Sequence, residues 1–153
     1  MNKLLFFFLL FYLHVANVYS DIIKPNTKIE PYNVVEIQLI SLKNNDKPDK
    51  DFGIEQTWEF AHPENKMNTG PLNNFKKMLK NEIYSILLNH KDHKIEEIFN
   101  NKKIAIYDVI ILGSDNFYYE FKWQVEKYNG KGSLNNCWLT TAVSNPVSLG
   151  ASI

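Results

Sequence analysis

The chain has 153 residues, 44% hydrophobic and 22% charged, with 17 basic side chains against 17 acidic ones. Every basic residue is Lys and none is Arg, so forked, bidentate reading of phosphates or base edges is unavailable, and the scattered lysines form no basic stripe of the kind that marks a nucleic-acid surface. Cys137 is the only cysteine, which excludes an intrachain disulfide.

Residues 1–20 read as a secretory signal peptide. Asn2 and Lys3 precede the apolar run Leu4–Leu13, and Val18 and Ser20 suit a cut after Ser20. The run is too short for a membrane-spanning helix, which needs roughly 20 apolar residues. No later segment is long and apolar enough to cross a bilayer. The expected destination is secreted or lumenal, with a plastid reached through the secretory route as the alternative. Residues 21–30, with Pro25, Asn26 and Thr27 among charges, are expected to form an extended leader.

Residues 31–145 are expected to make one domain. Pro31 suits a first helical turn, and Val35, Leu39 and Leu42 recur at helical spacing with Val34 and Ile37–Gln38 beside them, predicting a helix over Pro31–Lys43. Asn44–Asp51 is a polar turn. Gly53–Ala61 is predicted as a second helix with Asp51 as its N-cap and Ile54, Trp58 and Ala61 on one face. His62–Pro63 ends it, because the residue before Pro is driven from the helical region. Glu64–Gly70 reads as a polar loop. Pro71 opens a third helix whose inward stripe is Leu72, Phe75, Met78 and Leu79, and Glu82–Leu88 follows as a further helical stretch or tight turn.

The pattern then changes to period two. His93–Phe99 alternates around Ile95, and Asn100–Asn101 signals a hairpin. Lys102–Leu112 is apolar on both faces, which places it centrally or under cover on both sides. Phe117–Tyr128 alternates strictly: Phe117, Tyr119, Phe121, Trp123 and Val125 on one face, Tyr118, Glu120, Lys122, Gln124 and Glu126 on the other. Asn129–Asn136 is a glycine-bearing loop, Cys137–Ser144 a last strand, and residues 146–153 a flexible tail. Helices followed by a meander predict an α+β fold, with three N-terminal helices packed on a four-stranded antiparallel sheet.

Gly53-Ile54-Glu55-Gln56-Thr57-Trp58-Glu59-Phe60-Ala61-His62-Pro63-Glu64-Asn65-Lys66, then Thr69-Gly70-Pro71-Leu72, Leu88-Asn89-His90, Gly132 and Cys137-Trp138-Leu139-Thr140 together resemble a family of bacterial, cyanobacterial and plant-plastid proteins with no assigned activity. That family looks like a member of the nuclear-transport-factor-two-like, or cystatin-like, superfamily. The resemblance spans roughly residues 31–143 and implies a curved, cone-like sheet wrapped around helices, with a pocket at its open end. Superfamily members include isomerases, dehydratases, polyketide cyclases, transport adaptors and dimerisation domains. Thr141 stands where relatives carry an acidic residue.

Asp108 interrupts an apolar strand, an arrangement that raises a carboxylate's pKa for proton abstraction, against the plainer reading of a solvated strand residue. His62 is a candidate base at a pocket mouth or a helix-end hydrogen-bonding group. Trp58, Tyr84, Tyr107, Tyr119, Trp123 and Trp138 are candidates to line an apolar pocket or simply to fill the core. The patterned loop of His62, Pro63, Asn65, Thr69, Gly70 and Pro71 either contributes to a site or only shapes a turn. His90 and His93 sit three apart, too few ligands for zinc, and His90 reads as structural. Cys137 reads as a small core residue. No metal or cofactor is expected. The function these features favour is a non-enzymatic module that binds a small apolar ligand or forms a homodimer through its sheet face. The alternative is a cofactor-independent isomerase, cyclase or dehydratase with Asp108 or His62 as base and Tyr107 or Tyr84 as oxyanion donor.

Overall fold

In a computed structural model, which describes residues 21–151, the sheet is built outward from one long strand. That strand, β3 (Phe117–Lys127), pairs along its whole length with β2 (Ile104–Leu112), from Ile104 opposite Glu126 to Leu112 opposite Tyr118. On the far side of β2 lies β1 (Asp92–Asn100). The other edge of β3 is shared. Its second half pairs with β4 (Trp138–Val143) and its first half with β5 (Val147–Ala151). All these pairings are antiparallel. The expected flexible tail at 146–153 is therefore largely a fifth strand. Small residues such as Ser148 and Gly150 concealed it, because a strand at a sheet edge needs backbone pairing more than it needs side-chain alternation.

Among the described residues four α-helices precede the sheet: α1 (Pro31–Lys43), α2 (Phe52–Glu59), α3 (Pro63–Thr69) and α4 (Leu72–Leu79), followed by a 3₁₀ turn over Ser85–Leu87. The expected loop Glu64–Gly70 is thus corrected to a helix. Pro63 occupies its first turn and His62 is its N-cap, with Nδ1 accepting from the backbone N–H of Glu64 at 3.2 Å. A proline that ends one helix also suits the start of the next, since its missing N–H is not needed there. Asp51 does stand at the N-cap position of α2, but in the left-handed region (φ 66°) and without a capping bond. Its carboxylate pairs with Lys80 of the α4 C-cap at 2.7 Å instead, and this holds its pKa below the usual range.

The helices cover one face of the sheet. Val34, Val35, Leu39 and Leu42 of α1, Ile54 of α2 and Phe75 and Leu79 of α4 meet Ala105, Tyr107, Val109 and Ile111 of β2 and Phe121, Trp123 and Val125 of β3. Burying this apolar area against water drives the two layers together. Gly53 lets α1 and α2 approach closely: a Cβ there would overlap the Ser41 carbonyl and lie 2.9 Å from Asn45 Cα. Alternation in β3 matches this geometry from Phe121 onward. Phe117, expected inward, is 43% exposed because the helical layer does not reach that end of the strand.

The second face of β2 is uncovered. Ile104, Ile106, Ile110 and Leu112 are half-buried there. The strand is central, as its two apolar faces predicted, yet it is covered on one side only. The expected signal segment lies outside the described residues. No described helix is long and apolar enough to cross a membrane. The leader runs against α2, where Ile23 exchanges two hydrogen bonds with the Gln56 side chain (2.7 and 2.8 Å).

Candidate functional site

Between α1, α2, α4 and the sheet lies a cavity of about 110 Å³. Leu42, Phe75, Met78, Leu79, Leu87 and Val143 form its apolar walls, and Gln38, Thr57, Trp123 and Thr140 its polar floor. The floor is one connected buried network. Gln38 Nε2 donates to the Thr57 carbonyl at 3.1 Å. Gln38 Oε1 accepts from the Thr140 hydroxyl at 2.6 Å and from the Trp123 indole N–H at 3.1 Å, and the same N–H reaches Thr140 Oγ1 at 3.3 Å. Burial of these groups is tolerable because each finds a partner.

The segment after α2 closes one wall. Ala61 forms an isolated parallel bridge with Thr140, and the backbone bonds Thr140 N–H to Phe60 carbonyl (2.8 Å) and His62 N–H to Thr140 carbonyl (2.9 Å) tie the helix layer to β4. Asn65 adds two bonds from its amide to the carbonyls of Thr140 (3.1 Å) and Thr141 (2.8 Å). The patterned stretch around His62 to Pro71 thus works as a clasp between α3 and the sheet. The Thr141 hydroxyl donates to Glu126 at 3.2 Å.

Of the six aromatic pocket candidates, the cavity holds Tyr84 and Trp123. Tyr84 reaches the Val143 carbonyl at 3.4 Å. The other four lie elsewhere. Trp58 packs on Phe75 with Lys66 over its ring. Trp138 is buried beneath the Lys127 ammonium, 5.0 Å from the ring centre. Tyr119 donates to Asp115 at 2.6 Å. Tyr107 is fully buried beside Tyr32, and burial, with the Glu97 carboxylate next to its hydroxyl, pushes its pKa up to about 12.

Asp108 is on the uncovered face, paired with Lys122 at 2.6 Å. Tyr107, its neighbour in sequence, points to the opposite face, so this carboxylate and a tyrosine hydroxyl do not converge in one cavity. His62 lies outside the apolar cavity, in a separate cleft beside Tyr128.

His90 is buried and donates from Nδ1 to the Leu87 carbonyl (2.7 Å), which leaves Nε2 to accept from His93 Nδ1 (2.8 Å). Burial lowers its pKa to about 4, and burial also lowers that of His93. Two neutral imidazoles bonded to each other make a structural pair. Among the described residues no group of three or more His, Cys, Asp or Glu is placed to hold a metal ion. Cys137 is buried, and burial raises its thiol pKa.

Sequence reasoning missed Gln38 and Thr140 as site residues. The signal for Gln38 was present: an amide inside an apolar helical stripe must find partners when it is buried. Thr140 carried no comparable signal, since Thr is ordinary in a strand. No family model, no curated protein and no solved structure matches this chain.

Proposed function

We propose that this chain is a non-enzymatic binding module that holds a small apolar ligand in the cavity between its helices and its sheet. The observation that carries the reading is the cavity itself: about 110 Å³, apolar walls, and a polar floor already satisfied by Gln38, Trp123 and Thr140. An apolar hole of about 150 Å³ takes up benzene, so the ligand has roughly six heavy atoms and an apolar surface. The reading also assigns the chain to the nuclear-transport-factor-two-like, cystatin-like superfamily. That assignment is supported by the resemblance of Gly53–Leu72 and Cys137–Thr140 and by helices packed on one face of an antiparallel sheet.

The test is a titration of the full chain with benzene, followed through the indole N–H resonance of Trp123, alongside untargeted mass spectrometry of co-purifying compounds. A saturable shift or a stoichiometric small molecule is expected. An unmoved Trp123 signal and an empty spectrum would sink the reading.

A second observation favours self-association. Ile104, Ile106, Ile110 and Leu112 lie on the uncovered face on either side of the Asp108–Lys122 pair, with Phe99 (47% exposed) opposite Ile106 and Tyr118 (37%) opposite Leu112. Light scattering after size exclusion is expected to give a dimer that Ile106→Lys reduces to monomer; a monomer at all concentrations would refute this role. Residues 1–20 support action along the secretory route, and a mature N-terminus at Asp21 in protein from its native source is the expected result. An enzymatic role would need a base facing a donor across one cavity, and Asp108 does not stand there.

A further inference from the structure

We propose that the chain carries a second site, distinct from the apolar cavity: a cleft that binds the phosphate monoester of a small aromatic molecule. The cleft has a volume of about 400 Å³, within the roughly 300–1,000 Å³ of ligand pockets. It lies at the end of the sheet where the β1–β2 hairpin, the end of β3 and the residue before α3 come together.

Its charge is one-sided. Lys102, Lys103 and Lys127 line it, and none of the three makes an ion pair among the described residues, although the Lys127 ammonium also lies over the Trp138 ring. The only carboxylate of the lining is Glu126, whose Oε1 already accepts from Gln124 at 2.7 Å and from Thr141 at 3.2 Å. Three ammonium groups against one carboxylate leave a net charge of about +2, which a phosphate monoester at about −1.5 to −2 neutralises. Lysines without arginine bind such a group as point charges.

The backbone that carries the lysines is held in place. The Asn101 side chain accepts from the N–H groups of Lys103 and Ile104, both at 2.8 Å, so the hairpin carrying the two lysines is fixed. Lys127 is anchored by its own N–H to the Lys103 carbonyl (2.8 Å). His62 Nδ1 accepts from the Glu64 N–H, so the imidazole proton is on Nε2, and the ring presents a donor. That ring stands edge-to-face on Tyr128, 5.4 Å between centres, and Ile104 completes an apolar wall suited to an aryl group.

The experiment titrates the full chain with phenyl phosphate at physiological salt and follows the ring resonances of His62 and Tyr128. Saturable shifts are expected there, with the Trp123 indole unmoved, so this site succeeds or fails independently of the apolar cavity. The hairpin variant Lys102→Ala/Lys103→Ala is expected to weaken binding at least about tenfold, as two point charges are lost. The charge-matched variant Lys28→Ala/Lys77→Ala is expected to stay within about twofold, because neither residue lines the cleft and both charges are exposed and screened. Inorganic phosphate is expected to bind several-fold more weakly, for want of the ring. The proposal is overturned by the absence of saturable shifts, by equal losses in the two double variants, or by inorganic phosphate binding as tightly as the aryl ester.

Discussion

Gln38 ties the helical layer to the sheet through buried polar bonds. It satisfies the Thr57 carbonyl, the Thr140 hydroxyl and the Trp123 indole at once, all of them buried. Gln38→Met keeps the volume but leaves the Thr140 hydroxyl without its acceptor, while the Trp123 indole keeps Thr140 Oγ1 (3.3 Å) and the Thr57 carbonyl keeps the Phe60 N–H (3.2 Å). We expect a loss of about 1–3 kcal/mol in urea unfolding, the order of one unsatisfied buried group. His90 makes stability depend on pH. Its folded pKa, about 4, lies below the ordinary value of 6.5 because burial penalises the imidazolium. The contribution is therefore complete above pH 6.5 and is lost as pH falls through about 4, a gap worth roughly 3 kcal/mol. His93, lowered as well, adds in the same direction, with Lys43 opposing a proton on either ring and Asp92 favouring one. Urea midpoints should fall between pH 7 and pH 4.5, and His90→Gln, which does not titrate, should flatten that slope.

Among the elements, α1 and α2 depend on a single missing side chain. Gly53 sits where a Cβ would press on the backbone of Ser41 and Asn45, and backbone cannot swing aside as a side chain can. Gly53→Ala would ordinarily favour a helix by up to about 1 kcal/mol. Here the overlap outweighs propensity, and we expect a net loss of about 1–3 kcal/mol, read from thermal unfolding. Element boundaries were legible where periodicity and punctuation agreed. The α1 boundaries match the expectation from Pro31 and the Val35–Leu42 stripe, and the Asn100–Asn101 turn joins β1 to β2 as its residues suggested. The α3 helix was not legible. Pro63-Glu64-Asn65-Lys66-Met67-Asn68-Thr69 has no apolar stripe and none of it is buried; its capping by His62, the Asn65 bonds to β4 and the Lys66 contacts with the Glu59 carbonyl and the Trp58 ring hold it in place.

Over the whole molecule, the last strand decides how β3 is finished. Without β5, the edge of Phe117–Glu120 would present unpaired backbone groups to solvent. A chain ending at Asn145 should lose on the order of 2–3 kcal/mol through its missing hydrogen bonds, and should self-associate more readily in light scattering. The two candidate sites also belong to this scale. Ala61, Asn65 and Thr140 wall the apolar cavity while the adjacent His62 turns into the cationic cleft, so one short segment borders both.

By itself the sequence determined the order of helices before strands, the inward face of β3 from Phe121 to Val125, and the absence of disulfides, because these follow from local periodicity and residue chemistry. The tertiary structure alone decided which polar groups meet. Gln38 and Thr140 are 102 positions apart, and nothing local foretells their bond. The same holds for Asp108 facing outward to Lys122, for the gathering of Lys102, Lys103 and Lys127, and for the pairing of the final strand. Contacts between distant segments depend on strand register and helix placement, and these are fixed only when the whole core closes.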